Sequence, residues 1–175
     1  MKNIFFTPII LCVFFISTCA QVPSVRPDVQ NEKFDQRLEG LLSFTVPLIG
    51  VKELAEKKEE YVILDAREQE EYFLSHIEGA QHLGYDQLNE AVLSELKKDT
   101  PIVLYCSVGY RSEKIGERLQ KKGFTKVYNL YGSIFEWINQ GQPIVDNAGY
   151  PTDKVHTYNK RWSKWVDEGK ATKVW

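Results

Sequence analysis

Apolar residues change their period repeatedly along this chain, and the changes predict alternating helices and strands. Val51, Leu54 and Ala55 share one face of a short amphipathic helix over residues 51–58. The runs 61–64, 101–105 and 127–130 are nearly continuous in apolar residues, as in strands covered on both faces, and 80–83 reads as a shorter strand. Leu88, Val92 and Leu96 predict a helix over 85–97, and Ile115 and Leu119 one over 111–122 that Gly123 stops. A further helix over 133–140 is expected to be capped by Ser133 and ended by Gly141, and a short leading helix over 34–44. Strand and helix in alternation predict an α/β fold, a mostly parallel central sheet with helices on both faces. Ligands in such folds bind at the C-terminal ends of the strands, where Asp65 and Cys106 fall.

The two ends read differently from this middle. Lys2 followed by an apolar run from Ile4 to Ile16 and then small residues is the pattern of an export signal. The run is short of the roughly 20 residues a comfortable membrane span needs. Ile16-Ser17-Thr18-Cys19 resembles a bacterial lipobox, which predicts a signal over 1–18, a lipid on Cys19 and a membrane-anchored protein facing the periplasm of a bacterial cell envelope. Cleavage after Ala20 is the alternative, and retention of the whole apolar run as an anchor a third. Residues 19–44 are then a tether with a leading segment, the tether proper being 21–32 with Pro23 and Pro27; 45–145 is the domain. Residues 146–175 form an extension with three of the four tryptophans, Trp162, Trp165 and Trp175. Trp162, Trp165 and Val166 are expected on one helical face packed against the domain, with partner docking or a membrane surface as the alternative.

Charge narrows the functional classes. The chain carries 22 basic and 24 acidic side chains, while residues 151–175 hold six basic and three acidic ones. No nucleic-acid partner is indicated, and the expected state is a monomer. The three histidines have no metal-like spacing with acids or cysteines, so neither a metal nor another cofactor is expected. Cys12 and Cys19 lie in or beside the predicted signal, which leaves Cys106 as the thiol of the folded part. A dithiol redox enzyme is disfavoured.

Cys106 closes a strand and faces the start of a helix, where amide N–H groups and the helix dipole favour negative charge. That placement lowers a cysteine pKa from about 8.5, and the thiolate is the reactive form. Gly109 supplies the positive φ of a tight anion-cradling loop, and Arg111 with Ser112 opens the helix. A lone cysteine is more often a small buried hydrophobe, but packing alone gives no reason for an arginine five residues on.

Cys106-Ser107-Val108-Gly109-Tyr110-Arg111 resembles the Cys-x-x-Gly-x-Arg loop of rhodanese-like sulfurtransferases. Asp65-Ala66-Arg67, His76-Ile77-Glu78-Gly79-Ala80 and the stretch from Gly123-Phe124 to Trp137 resemble further family motifs in the same order, with Ser133 in place of a usual second glycine. The resemblance implies the rhodanese-like three-layer fold and a Cys106 nucleophile that takes a sulfane sulfur as a persulfide. A thiol or a cyanide-like acceptor then removes it. It also implies that the amides of residues 107–112 hold the persulfide charge. Arg111 offers a fork to an anionic donor or ties to a carboxylate, and one guanidinium can do both. Asp65 and Arg67 are expected to brace the sheet near the loop rather than to act chemically, and His76 to be a hydrogen-bonding residue rather than a base. Four residues between Cys106 and Arg111, where the related dual-specificity phosphatases have five, favour sulfur over phosphate. Ser107, Val108 and Tyr110 are uncharged, which argues against thiosulfate as the physiological donor. A carrier that holds persulfide sulfur for a partner protein is the alternative to a turning-over enzyme.

Overall fold

The computed structural model describes Pro23 and residues 25–175, so the expectations on the export signal, Cys12 and Cys19 fall outside the described residues. Helix α1, Glu32–Glu39, starts where the Asn31 side chain accepts the amides of Lys33 and Phe34. It stops at Gly40, short of the predicted end. After β1 (Leu48–Ile49) and α2 (Val51–Glu56), a 3-10 turn at Lys58–Glu60 leads into β2 (Val62–Asp65). Next come α3 (Gln69–Leu74), β3 (His76–Ile77), β4 (Gln81–His82) and α4 (Glu90–Ser94). Strand β5 (Ile102–Tyr105), α5 (Tyr110–Lys121), β6 (Val127–Leu130) and α6 (Ser133–Asn139) complete the central part. Four short strands follow: β7 (Ile144–Val145), β8 (Pro151–Thr152), β9 (Lys154–His156) and β10 (Thr172–Val174).

The central sheet runs β1-β6-β5-β2-β4 with every neighbouring pair parallel. Its two faces follow from the alternation of side chains along each strand. Ile63, Val103 and Tyr105 pack with Phe34, Leu38, Leu54, Ile134 and Phe135 of α1, α2 and α6. Leu64, Ile102 and Leu104 pack with Leu93, Ile115 and Leu119 of α4 and α5. Helices therefore cover both faces of the sheet, the α/β arrangement expected. All four residues of β5 are buried, so its continuous apolar run meets a core on either side.

Four expectations change in detail. The helix predicted over 85–97 shrinks to Glu90–Ser94, because Gly84 turns the chain at φ 83 and the Asn89 amide bonds back to the Leu83 carbonyl. Ser133 is not the cap of α6; Gly132 holds that position at φ 74, and Ser133 follows at φ 54. A positive φ is awkward for a side chain, which accounts for the glycine usual in its place. The tether is partly docked: the Gln30 amide donates to Glu136 at 3.0 Å and Arg26 pairs with Asp35 at 2.9 Å and also with Glu39. In the tail the predicted tryptophan helix is only a 3-10 turn, Ser163–Trp165, between β9 and β10.

That tail is nevertheless well seated. Strands β9 and β10 pair in parallel, Val155 and Val166 are buried, and Trp165 stacks on Phe34 at 5.3 Å between ring centres. The Asn139 side chain ties it to α6, donating to the Trp165 carbonyl and accepting from the Asp167 amide.

Candidate active site

Strand β5 ends at Tyr105 and α5 begins at Tyr110, so Cys106 to Gly109 form the connecting loop at the C-terminal edge of the sheet. The Cys106 side chain is turned into this loop and almost fully buried. The Gly109 amide donates to its sulfur at 3.1 Å. Gly109 sits at φ 116, a left-handed conformation that leaves its N–H pointing at the sulfur. A Cβ there would also touch Asn129 and Leu42 at 3.6 Å.

The loop is held from three sides. The Ser133 hydroxyl accepts the Cys106 amide at 3.1 Å, and the amides of Ile134 and Phe135 donate to the carbonyls of Cys106 and Ser107. Asn129 donates to the Gly109 carbonyl at 3.0 Å and accepts from the Ser112 hydroxyl at 2.7 Å. Burial by itself pushes the Cys106 thiol up. The Arg111 charge and the amides of Ser112 and Gly109 outweigh it, and the net direction is down. The loop therefore stabilises a thiolate in a place where an unaided thiol would stay protonated.

Arg111 is engaged by a carboxylate. Its two terminal nitrogens donate to the two oxygens of Glu71 at 2.6 and 2.9 Å, and one also donates to the Ser107 hydroxyl at 3.0 Å. Burial pushes the Glu71 carboxyl up, but Arg111 and Arg67 reverse this and hold it below the usual carboxylate value. Of the two roles weighed for Arg111, the tie to a carboxylate is therefore occupied. Glu71 went unremarked in the sequence, although Glu68-x-x-Glu71 has the spacing of a helix-capping pair, and the Glu68 amide does donate to Glu71 at 3.0 Å.

Asp65 and Arg67 form a second ion pair, away from the thiol cleft. Arg67 grips Asp65 with bonds of 2.6 to 3.0 Å and donates to the Ser75 carbonyl at 2.6 Å, with both side chains fully buried. This ties β2 to the start of β3. His76 stacks on Tyr72 at 4.0 Å with a ring nitrogen 3.0 Å from the Tyr72 carbonyl, and His82 lies 2.9 Å from the Arg67 carbonyl. Among the described residues no cluster of histidine, cysteine and acidic side chains has the makings of a metal site.

A cleft of about 520 Å³ opens over the loop. Cys106, Ser107, Val108, Tyr110 and Arg111 line it, with Glu68, Tyr85 and Asp86 from the β2–α3 and β4–α4 connections. Tyr158 and Trp162 of the tail complete it, and the Tyr158 ring lies 5.3 Å from the Arg111 guanidinium. Gly109 and Ser112 are buried and do not line it. The sequence offered no signal that the tail would reach the site.

Residues 50–140 match the family model described as "Rhodanese-like domain". Thiosulfate sulfurtransferase GlpE of Coxiella burnetii is 36% identical over 81 residues, covering 46% of this chain and 75% of that protein. Two solved structures are similar. One, the rhodanese-like domain of an Anabaena protein, has 26% identity and a TM-score of 0.54, covering 57% of this chain and 79% of the other. The second is a rhodanese-related protein from Thermoplasma volcanium at 28% identity, TM-score 0.52, covering 57% and 97%. With the motif order, the parallel sheet and the cysteine loop in agreement, this chain belongs to the rhodanese-like domain family.

Proposed function

We propose that the protein is a sulfurtransferase that carries a sulfane sulfur on Cys106 as a persulfide. The observation that carries the reading is the seat of the Cys106 sulfur: buried, lowered in pKa, and accepting the Gly109 amide at 3.1 Å ahead of α5. In the first half-reaction the thiolate attacks the outer sulfur of a donor, a new S–S bond forms, and the donor remainder leaves with the electron pair. In the second, an acceptor thiolate or cyanide attacks the outer persulfide sulfur and the Cys106 thiolate leaves. Arg111 holds the negative charge at the loop throughout, while Glu71 fixes its guanidinium. The similarity to a protein named as a thiosulfate sulfurtransferase supports the reaction class.

Intact mass tests it. Incubation with a sulfane donor should add about 32 Da, one sulfur, to the wild type and nothing to Cys106→Ser. Addition of cyanide should return the original mass with one thiocyanate released per protein. Turnover with small acceptors marks an enzyme, whereas discharge only onto a protein partner marks a carrier. The apolar run Ile4–Ile16, followed by the lipobox-like Ile16-Ser17-Thr18-Cys19, supports a lipid-tethered place at the cell envelope. Cys19→Ala should then release soluble protein or leave an uncleaved precursor. Soluble wild-type protein beginning at Gln21 would refute the tether.

A further inference from the structure

Two walls of the Cys106 cleft come from outside residues 50–140, the stretch common to the family model. Tyr158 and Trp162 lie between β9 and β10, in a segment pinned from below. Thr157 is fully buried, and its amide and hydroxyl both donate to the Val174 carbonyl, at 2.7 and 3.1 Å. The next residue, Tyr158, sits at φ 64, a left-handed conformation that is unfavourable for a residue with a side chain. Its amide donates to His156, and its ring is aimed over Arg111 while staying more than half exposed. A strained residue with an exposed ring gains little from packing; what it gains is a position over the site.

The charges around the cleft are unbalanced. Arg111 is matched by Glu71. That leaves Glu68 and Asp86 without an ion pair among the described residues, while the Cys106 thiolate shares Arg111 with Glu71. Other cations lie at or near the rim. Lys114, beside Tyr110, pairs with Glu117; Arg118 reaches the Tyr85 carbonyl; Arg37 lies over Trp162 but outside the cleft lining. Burial is the main cause that pushes the Glu68 carboxyl up; the Asp86 charge adds to it and Arg111 opposes it.

Resting on the sulfur-transfer reading, we infer that Tyr158, Trp162, Glu68 and Asp86 set donor choice, and that the donor is an organic persulfide whose stem carries an ammonium group. An ammonium fits beside two carboxylates that have no ion pair of their own, in a cleft walled by the Tyr158 and Trp162 rings. A small dianion such as thiosulfate meets two acids without ion pairs and a single arginine already held by Glu71. The chemistry balances without an added oxidant. The thiolate attacks the outer sulfur of R–S–S–H, the original S–S bond breaks onto R–S⁻, and the proton stays on the transferred sulfur as Cys106–S–S–H.

Two donors of equal stem length and opposite charge test the inference on the full chain: 2-aminoethyl persulfide and 2-sulfonatoethyl persulfide. Each rate is divided by the same donor's rate with a free thiol, which removes intrinsic reactivity. At low ionic strength the wild type should favour the aminoethyl donor by about 10-fold or more, and salt should shrink the preference. Glu68→Gln with Asp86→Asn should bring it below about 3-fold. Tyr158→Leu, at an exposed ring, should also reduce it without loss of fold. Equal or reversed preference with sulfur still arriving on Cys106 overturns the inference and leaves sulfur transfer standing. So does a preference that none of these variants alters. Failure of both donors and of thiosulfate to load Cys106 overturns both readings.

Discussion

The protein contains the same chemical pair twice, and the two copies do different work. Asp65–Arg67 and Glu71–Arg111 are each an arginine fork on a buried carboxylate, with closest contacts of 2.6 Å. The first is sealed, with both side chains at 0% exposure, and spends its spare donor on the Ser75 carbonyl. The second keeps 14% of its arginine side chain exposed, beside a thiol and under a tyrosine ring. Burial depth, not residue type, separates a brace from a charge that a site can use. A sealed pair has no alternative partner when half of it is removed, whereas a pair at the floor of a cleft can fall back on water.

The largest expected effect tests whether the second pair serves a reaction at all. Cys106→Ser should reduce sulfur transfer to the uncatalysed background while the denaturation midpoint stays near that of wild type, since serine is nearly isosteric. Retained transfer would detach the Glu71–Arg111 pair from any chemistry at this cysteine. Next comes Arg67→Ala, which strands Asp65 in the core and should cost about 3–5 kcal/mol in urea unfolding. Arg111→Ala should cost no more than about 2 kcal/mol, because Glu71 keeps its Glu68 and Ser107 bonds and gains water. Equal losses at the two arginines would erase the distinction between brace and site.

Titration sharpens it further. The Cys106 thiol is held below its ordinary value, so its alkylation rate should inflect below about 8.5, and Arg111→Ala should move that inflection up. Glu71 also titrates low in the folded state. Its contribution to stability is therefore complete above the unfolded carboxyl value of about 4.3 and fades as pH falls through the lower folded value. Glu71→Gln should flatten stability against pH in that acid range and, by unmasking Arg111, improve the use of thiosulfate. The smallest effect belongs to Ser133→Gly. Relief of the positive φ and loss of the bond to the Cys106 amide should nearly cancel, to within about 1 kcal/mol by thermal unfolding.

The core strands and the cysteine loop were legible because their signals are local: a continuous apolar run, then a loop spacing that resembles a known one. Residues 127–130 and 111–122 fell within a residue or so of their observed bounds for that reason. Contacts between distant segments were not legible. Glu71 meets Arg111 across 40 positions and Tyr158 meets it across 47, and neither pairing leaves a period or motif in the chain. The 85–97 helix failed for a third reason. Leu88, Val92 and Leu96 do pack at helical spacing against one core, but a glycine turn at one end shortened the helix that would have carried them.

The seating of the tail has a consequence for how such a protein can change over time. Thr157 and Val155 anchor the segment in the interior, while Tyr158 projects outward and contributes little to holding the fold. On the donor-choice inference, a substitution at Tyr158 would change a wall of the cleft and its contact with Arg111 while leaving Cys106 and the sheet beneath in place. Part of the selectivity so inferred, at Tyr158 and Trp162, lies in a different stretch of the chain from the cysteine loop, and part, at Glu68 and Asp86, lies in the same one. On that inference, a change of donor can arise in the tail while the cysteine loop stays as it is.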